Sequence, residues 1–478
     1  MIIHVDNLEA LKALLPKYEG RIKCIYIDPP YNTGNEGWIY NDNVNDPKIK
    51  KWLGEVVGKE GEDLSRHDKW LCMMYPRLRL LQKLLSKDGI IFVSIDDIEV
   101  TYLRLLMDEI FGKSKFIAQL IWKSRQNKDN RNVTNVSIDH EYVLCYGSKL
   151  RGCIRKVDQY KNPDNDPRGP WTSANMVGLA TADARPNLHY DLIDPKTGIN
   201  YGRPTKGWRY DSKTMARLIE DNRIIWPKDS KGRPRKKQYL ADLENSYTGY
   251  SSIIGEDFFT RTGSNEQMQI WGEVRFDFPK NAGLIQELLE QATNDNDIIL
   301  DSFAGSGTTA HAVLNMNKAD GGNRKFVLIE MEDYADSITA ERVKRVIDGY
   351  GEGKNAVEGT GGNFSYYELG EPLFKGENLN ENIGIDYICE YIWYMETRQN
   401  YVSAACENSY YLGADKGTAY YFYYELNKVC TLNYAFLSTV REKADGYVIY
   451  ADKCALSEEE LAAHNIVFKK IPRDISRL

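Results

Sequence analysis

Over the first 150 residues, short apolar runs alternate with segments whose apolar positions recur at helical spacing. "MIIHV" (1–5) predicts a strand. Asp6-Asn7 offers an N-cap to a helix carrying Leu8, Leu11, Leu14 and Leu15, with Pro16 near its end. "IKCIYI" (22–27) predicts a second strand. "WLCMMYPRLRLLQKLLSKDG" (70–89) predicts a helix with Leu78, Leu81, Leu84 and Leu85 on one stripe and Gly89 as C-cap. "IIFVSI" (90–95) and "HEYVLCYG" (140–147) follow as strands. Strands separated by helices imply a parallel sheet with crossover connections.

From 151 to 267 that rhythm is lost. "KNPDNDPRGPW", "IDPKTGINYGRPTKGWRY" and "WPKDSKGRPRKKQY" bracket short strands with turn-forming residues, and "DPKTGINY" predicts a hairpin turn. Alternation returns after Asp277. "AGLIQELLEQAT" predicts a helix, "DIILDSF" a strand, "GSGTTAHAVLNMN" a loop entering a helix, "RKFVLIEM" a strand and "SITAERVKRVIDGY" a helix. A Gly-rich linker spans 351–363. The Tyr-rich tail, 364–478, reads as a smaller α/β unit: helix "IGIDYICEYIWYM", strand "TAYYFYYE", helix "LNYAFLSTV", strand "GYVIYA", helix "SEEELAAHN", strand "IVFKKI". The pattern divides the chain into two α/β halves, 1–150 and 268–350, around an insert, 151–267.

Composition narrows the picture. No run of about 18 apolar residues suggests a membrane span, and the first 20 residues lack the pattern of a signal peptide. The 8 cysteines form no C-x-x-C pair, so neither a metal site nor a disulfide framework is suggested and a cytoplasmic location is expected. A net charge of −7 argues against nucleic acid as a partner. The average conceals a gradient, because residues 115–280 carry 28 Lys+Arg against 20 Asp+Glu. A basic middle between acidic ends suits a local DNA surface; charge drift along a long chain is the alternative.

Two turns carry the candidate chemistry. In "DIILDSFAGSGTTAHAV" (297–313) a strand ends on Asp301, and Phe303-Ala-Gly305-Ser-Gly307 turns into a helix opening with Thr308. Glycines allow close backbone approach to a ligand. The stretch lacks the G-K-[ST] of a P-loop. It suits a nucleoside ligand without phosphate, such as S-adenosylmethionine (AdoMet), whose amino group Asp301 would pair. Glu330 ends the next strand, at the spacing where an acid meets ribose hydroxyls.

In "IYIDPPYNTG" (25–34) a second strand ends on a carboxylate, Asp28. Pro29 and Pro30 stiffen the chain, and Tyr31 adds a flat ring. Asp28 and the Pro29 carbonyl would each accept one hydrogen of an exocyclic amino group while Tyr31 stacks on the base, worth roughly 1–3 kcal/mol. Alone, the tetrapeptide is in most proteins a plain strand-ending turn.

Together, D-P-P-Y, F-x-G-x-G and the acid beyond resemble the motif set of amino-group DNA methyltransferases. "DNLEALKALLPKYEGRIKCIYIDPPYNTGN", "HEYVLCY", "FDFPKNAGLI", "DSFAGSGTTAHAV" and "EGTGGNFSYYELGEPLF" are similar, in order, to segments of type III restriction–modification methyltransferase (Mod) subunits, β-class adenine-N6 enzymes. The resemblance implies a circularly permuted Rossmann-like, AdoMet-dependent sheet, with the target-base block first. It also implies a target-recognition insert at 151–267 and a small C-terminal α/β domain.

By the resemblance, Asp28, Pro29, Pro30 and Tyr31 hold a flipped adenine. Asp301, Phe303, Gly305, Gly307 and Thr308 line the AdoMet pocket, with Glu330 on the ribose and Asp6 on the cofactor's adenine. Phe278 and Lys280 contact its methionine end, although Asn281 stands where the family has proline. Lys123, Arg125, Lys128, Arg131, Lys228, Arg233, Arg235 and Lys236 are candidates for DNA phosphates. His311, His140 and "TAYYFYYE" are expected to pack. The implied partners are double-stranded DNA, a second copy as homodimer and a restriction (Res) helicase–nuclease. Family members carry a further small subdomain ahead of the first strand, whereas Met1 begins almost at it. A truncated start and a free-standing enzyme both remain open. So do a cytosine-N4 target and a non-catalytic AdoMet- and DNA-binding module.

Overall fold

A computed structural model describes residues 1–32, 61–129, 134–244, 246–402 and 410–473, with side chains from 67 onward in the helix that begins at 61. Two compact units are present, one of residues 1–150 with 251–478, the other of 151–250.

The larger unit is built on nine strands: β1 (Ile2–His4), β2 (Ile22–Ile27), β3 (Leu85–Ile95), β4 (Phe116–Trp122), β5 (Glu141–Gly147), β6 (Ile253–Ile254), β7 (Ile298–Asp301), β8 (Lys325–Glu330) and β9 (Tyr366–Glu368). Their order is β6-β4-β5-β3-β2-β7-β8-β1-β9. All pair in parallel except β5, which is antiparallel to both β3 and β4. The central strands β2, β7 and β8 are nearly continuous runs of buried apolar residues, as expected for strands covered on both faces.

Helix α1 (Asn7–Tyr18) starts where the sequence predicts, the Asp6 carboxylate accepting the Leu8 N–H at 2.8 Å. It and α2 (Gly61–Leu84) pack with Leu11, Leu14, Leu78 and Leu81 in the core containing Ile25, Ile27 and Leu300. Further on come α3 (Val100–Met107), α4 (Thr260–Trp271), α5 (Ala282–Ala292), α6 (Thr308–Asp320) and α7 (Glu341–Asp348). Asn281 caps α5, its side chain accepting the Gly283 N–H at 2.8 Å, so this departure from the family's proline makes a good helix start.

Three expectations are corrected. Gly89 is not a helix C-cap: α2 stops at Leu84 and Gly89 lies inside β3, where pairing with β2 from Ile22↔Leu85 onward competes with the helix. Residues 140–147 form an antiparallel strand, because the apolar run 116–122, not anticipated as a strand, inserts β4 ahead of it. The tail's first strand, β9, joins the main sheet beside β1. Gly349–Tyr350 also pairs with Val357–Glu358 within the stretch read as a linker.

Beyond β9, α8 (Ile385–Thr397) and strands β10 (Tyr411–Asp415), β11 (Thr418–Phe422), β12 (Gly446–Ala451) and β13 (Ile466–Lys470) form a four-stranded sheet in that order. "TAYYFYYE" is core, with Tyr421 and Phe422 buried. No helix among the described residues is long and apolar enough to cross a membrane.

The smaller unit has a three-stranded antiparallel sheet, Trp171–Ala174, Arg235–Tyr239 and Ile224–Ile225. Helix Ser212–Glu220 covers a small core of Met176, Leu192, Trp208, Met215 and Leu218. The turn at 194–201 is present, the Asp194 N–H donating to the Ile199 carbonyl at 3.0 Å.

Candidate active site

Strands β2 and β7 lie side by side, Ile25 opposite Leu300, so Asp28 just past β2 and Asp301 at the end of β7 emerge at one edge of the sheet. After β7, α6 leads to β8 on one side; β3 follows β2 on the other. The pair therefore marks a topological switch point, where open α/β sheets bind ligands. Because β5 is antiparallel, its first residue, Glu141, reaches this edge too, opposite Trp122 at the end of β4.

Around Asp28 the side chains form a closed polar cluster. The Lys280 ammonium donates to Asp28 Oδ1 and Oδ2 at 2.9 and 2.8 Å and to the Tyr31 hydroxyl at 2.9 Å. It lies 3.5 Å from Glu141 Oε2. Tyr31 Oη is also 2.9 Å from Asp28 Oδ1 and from Glu141 Oε2, either of which can accept its proton. The ammonium sits 4.9 Å from the Tyr31 ring centre and 5.6 Å from that of Trp122. Burial works against its charge, yet Asp28 and Glu141 outweigh burial and hold Lys280 above the usual lysine range. Burial first, then the charges of Asp28 and Glu141, push the Tyr31 phenol well above its ordinary value. Behind Tyr31, the buried Trp70 indole donates to the Pro30 carbonyl at 2.7 Å, fixing the turn. Among the described residues no hydrogen bond reaches the Pro29 carbonyl.

The glycine turn follows β7. Buried Asp301 accepts the Phe303 N–H at 3.0 Å and the Thr309 hydroxyl at 2.5 Å. Burial pushes its carboxyl up to about 7, opposed by those two hydrogen bonds and reinforced by Asp28 and Glu330. Gly305 and Gly307 have φ of +51° and +80°. Glu330 accepts N–H groups from Gly305 (2.8 Å), Met331 (2.9 Å) and Glu332 (3.1 Å), tying the end of β8 to the turn. Burial raises its carboxyl, and these hydrogen bonds oppose the shift. Phe303 is buried. Asp6 keeps its capping role and pairs with the buried Arg77 at 3.2 Å.

A buried polar network supports the turn from behind. Arg342 on α7, fully buried, donates to Ser306 Oγ and Thr308 Oγ1 at 2.9 Å each and to Glu266 on α4 at 2.6 Å. Its Nη2 lies 3.2 Å from His311 Nδ1. Burial, then Arg342, keeps His311 well below the usual imidazole range, so His311 is a neutral packing residue. Thr308 accordingly serves Arg342 and the Lys280 carbonyl, 3.2 Å away.

A substitution tests the turn directly. At Gly307 a Cβ would lie 3.0 Å from the Thr339 carbonyl oxygen, in a backbone region L-residues avoid. Gly307→Ala should cost roughly 1–3 kcal/mol of stability, read as a lower denaturation midpoint. An unchanged midpoint would mean the turn is not held in this conformation.

A family model described as DNA methylase matches residues 22–341. The chain belongs to the DNA methylase family. The chain is 32% identical over 378 residues to the type III restriction-modification enzyme StyLTI Mod subunit of Salmonella typhimurium, covering 71% of this chain and 56% of that one. It is 31% identical over 392 residues to the EcoP15I Mod subunit of Escherichia coli, covering 70% and 58%. To the type II methyltransferase M.KpnI of Klebsiella pneumoniae it is 33% identical over 353 residues, covering 68% and 79%. The chain thus spans a little over half the length of the two Mod subunits.

The chain's other candidate residues are placed as follows. Lys280 sits on Asp28 and near Glu141, the two carboxylates that draw its ammonium there. Phe278 is 82% exposed with φ +50°. Instead Phe276 lies over the glycine turn, 3.1 Å from where a Gly305 Cβ would be. Buried Gln267 of α4 fixes Phe276, bonding its N–H at 2.9 Å and its carbonyl at 2.8 Å. Lys123, Arg125 and Lys128 are exposed, Arg125 pairing with Asp129 at 2.9 Å. Arg131 lies outside the described residues. In the smaller unit Lys228, Arg233 and Arg235 are exposed, and Lys236 is half-buried with its ammonium 3.4 Å from the Tyr210 hydroxyl. Glu141, Trp122, Phe276, Gln267 and Arg342 were not singled out from the sequence. Arg342 had one signal, a charged residue four positions before Val346 on the buried stripe of its helix.

Proposed function

We propose that this methylase moves a methyl group from AdoMet to N6 of an adenine flipped out of double-stranded DNA, in the cytoplasm, as the modification subunit of a type III restriction–modification system. The observation that carries the proposal is the convergence of Asp28 and Asp301 at one switch point, with the Pro29 carbonyl unengaged among the described residues.

The residues present fit AdoMet. Gly305 and Gly307, both at positive φ, bring no side chain into the turn, and Asp301 and Glu330 place buried carboxylates for a cationic amino group and ribose hydroxyls. When bound, AdoMet supplies the electrophilic methyl group. Asp301 holds its amino group, Glu330 its ribose, and Phe276 and Phe303 flank the turn.

Asp28 receives the base. An ionised carboxylate has about four acceptor directions. Lys280 and Tyr31 make three contacts, two of them on Oδ1, which leaves room on Oδ2 for an amino N–H. The Pro29 carbonyl takes the second N–H, and both bonds strengthen as positive charge develops on nitrogen. Flipping the base costs a few kcal/mol. Contacts from the exposed basic residues to phosphates offset it, so activity should fall as salt rises.

Asp301 gives the cofactor step a pH signature. Below about pH 7 it is protonated and loses its attraction for a cation. AdoMet affinity should therefore weaken roughly three- to tenfold from pH 8 to 6, and Asp301→Asn should flatten the dependence; calorimetric titration reads both. A steep dependence retained in Asp301→Asn would assign it elsewhere.

Homology over 79% of the type II M.KpnI favours a second reading, a methyltransferase that acts without a Res partner. Incubating the chain alone with methyl-labelled AdoMet and unmethylated bacterial DNA tests both. Label in DNA supports the transferase and shows that no partner is required. Label only on adding a Res subunit supports the type III reading. No label under either condition, with both substrates bound, overturns the transferase.

A further inference from the structure

Methylating an amino group leaves an extra proton on nitrogen, and that proton must depart. Asp28, the nearest base in the proposed site, is a poor final acceptor because Lys280 holds both of its oxygens. A second carboxylate lies one hydroxyl away. Tyr31 Oη is 2.9 Å from Asp28 Oδ1 and 2.9 Å from Glu141 Oε2, and Glu141 remains 20% exposed at the rim.

Resting on the methyltransferase proposal above, we infer that Glu141 ends a proton relay running from the methylated amino group through Asp28 and the Tyr31 hydroxyl to solvent. In the first transfer an N–H bond of the alkylated amine breaks and an O–H bond forms on Asp28. In the second, Asp28 gives that proton to Tyr31 Oη as the phenol's own proton passes to Glu141 Oε2. Tyr31 ends neutral, and Glu141 releases the proton to water. Neither oxidant nor co-reactant is needed.

The surroundings suit this path. Tyr31 is held well above the usual phenol range, so it exchanges protons without resting as an anion. Lys280, kept charged, compensates the two carboxylates and donates to Tyr31 Oη, fixing the oxygen's lone pairs. The titratable groups facing Glu141 are Tyr31 and Lys280, with Asp28 beyond them and Tyr26 further back. Glu141 acts through Tyr31, so it is a relay residue rather than a group touching substrate.

The test compares wild type, Glu141→Gln, Tyr31→Phe and the double variant, measuring kcat from pH 6 to 9 with AdoMet and DNA affinities alongside. Glu141→Gln should lose about 10- to 100-fold in kcat, within the range of general-base effects, with both affinities kept. The double variant should be no slower than the slower single one, because both cut the same path. Wild-type rates in Glu141→Gln, multiplying losses in the double variant, or a loss confined to binding would each overturn the relay. A wild-type chain that modifies no DNA, with or without a Res subunit, overturns the methyltransferase proposal itself, whereas wild-type activity with an unaffected Glu141→Gln removes the relay alone.

Discussion

Asp28→Ala should reduce methyl transfer by at least about 100- to 1,000-fold, the loss seen when one positioned charge-stabilising group is removed. Asp28 is the carboxylate placed beside the Pro29 carbonyl, and the loss falls on the step in which charge develops on nitrogen. It also anchors Lys280, whose ammonium would be left to Glu141 and the Tyr31 hydroxyl. AdoMet binding should persist, because among the described residues the hydrogen bonds of Asp301 and Glu330 hold the glycine turn and none of them reaches Asp28. Single-turnover transfer from labelled AdoMet, with equilibrium binding of cofactor and DNA in parallel, separates the two effects. Transfer retained within tenfold would remove Asp28 from the chemistry.

Arg342→Ala should cost about 3–5 kcal/mol of stability, the range for breaking a buried ion pair by removing one partner. Arg342 is fully buried and joins Glu266, Ser306 and Thr308. Removing it strands the Glu266 carboxylate, whose pKa burial already raises against the attraction of Arg342. It also frees the two hydroxyls that hold the start of α6 behind the glycine turn. Denaturant unfolding measures the loss, and an Arg342→Leu, Glu266→Leu pair should recover part of it by replacing the ion pair with apolar packing. A midpoint within about 1 kcal/mol of wild type would mean the network does not hold the turn.

The sequence made the two central turns legible because each follows a short apolar strand that ends on an acid. That pattern located Asp28 and Asp301 at the turns that follow β2 and end β7. Asp6 and the start of α1 were equally plain from capping chemistry. Other parts depended on pairing that local patterns do not encode. Glu141 reaches the site because β5 is antiparallel, and taking 140–147 as one more parallel strand would send Glu141 to the opposite edge. Lys280 and Phe276 sit in a turn without periodicity, placed by Gln267 and by two distant carboxylates rather than by neighbours in sequence. Phe278, the residue the resemblance favoured, is exposed where Phe276 is drawn inward.

The most direct test of the central claim, that the Asp28–Tyr31 turn presents an exocyclic amine to a methyl donor held at the glycine turn, is nucleoside mass spectrometry of unmethylated DNA incubated with the chain and AdoMet. N6-methyladenine should form, and should be absent when Asp28→Ala is used. N4-methylcytosine would keep the site and overturn the base. A methyl group on ring carbon, or N6-methyladenine made equally well by Asp28→Ala, would contradict that role of the Asp28–Tyr31 turn.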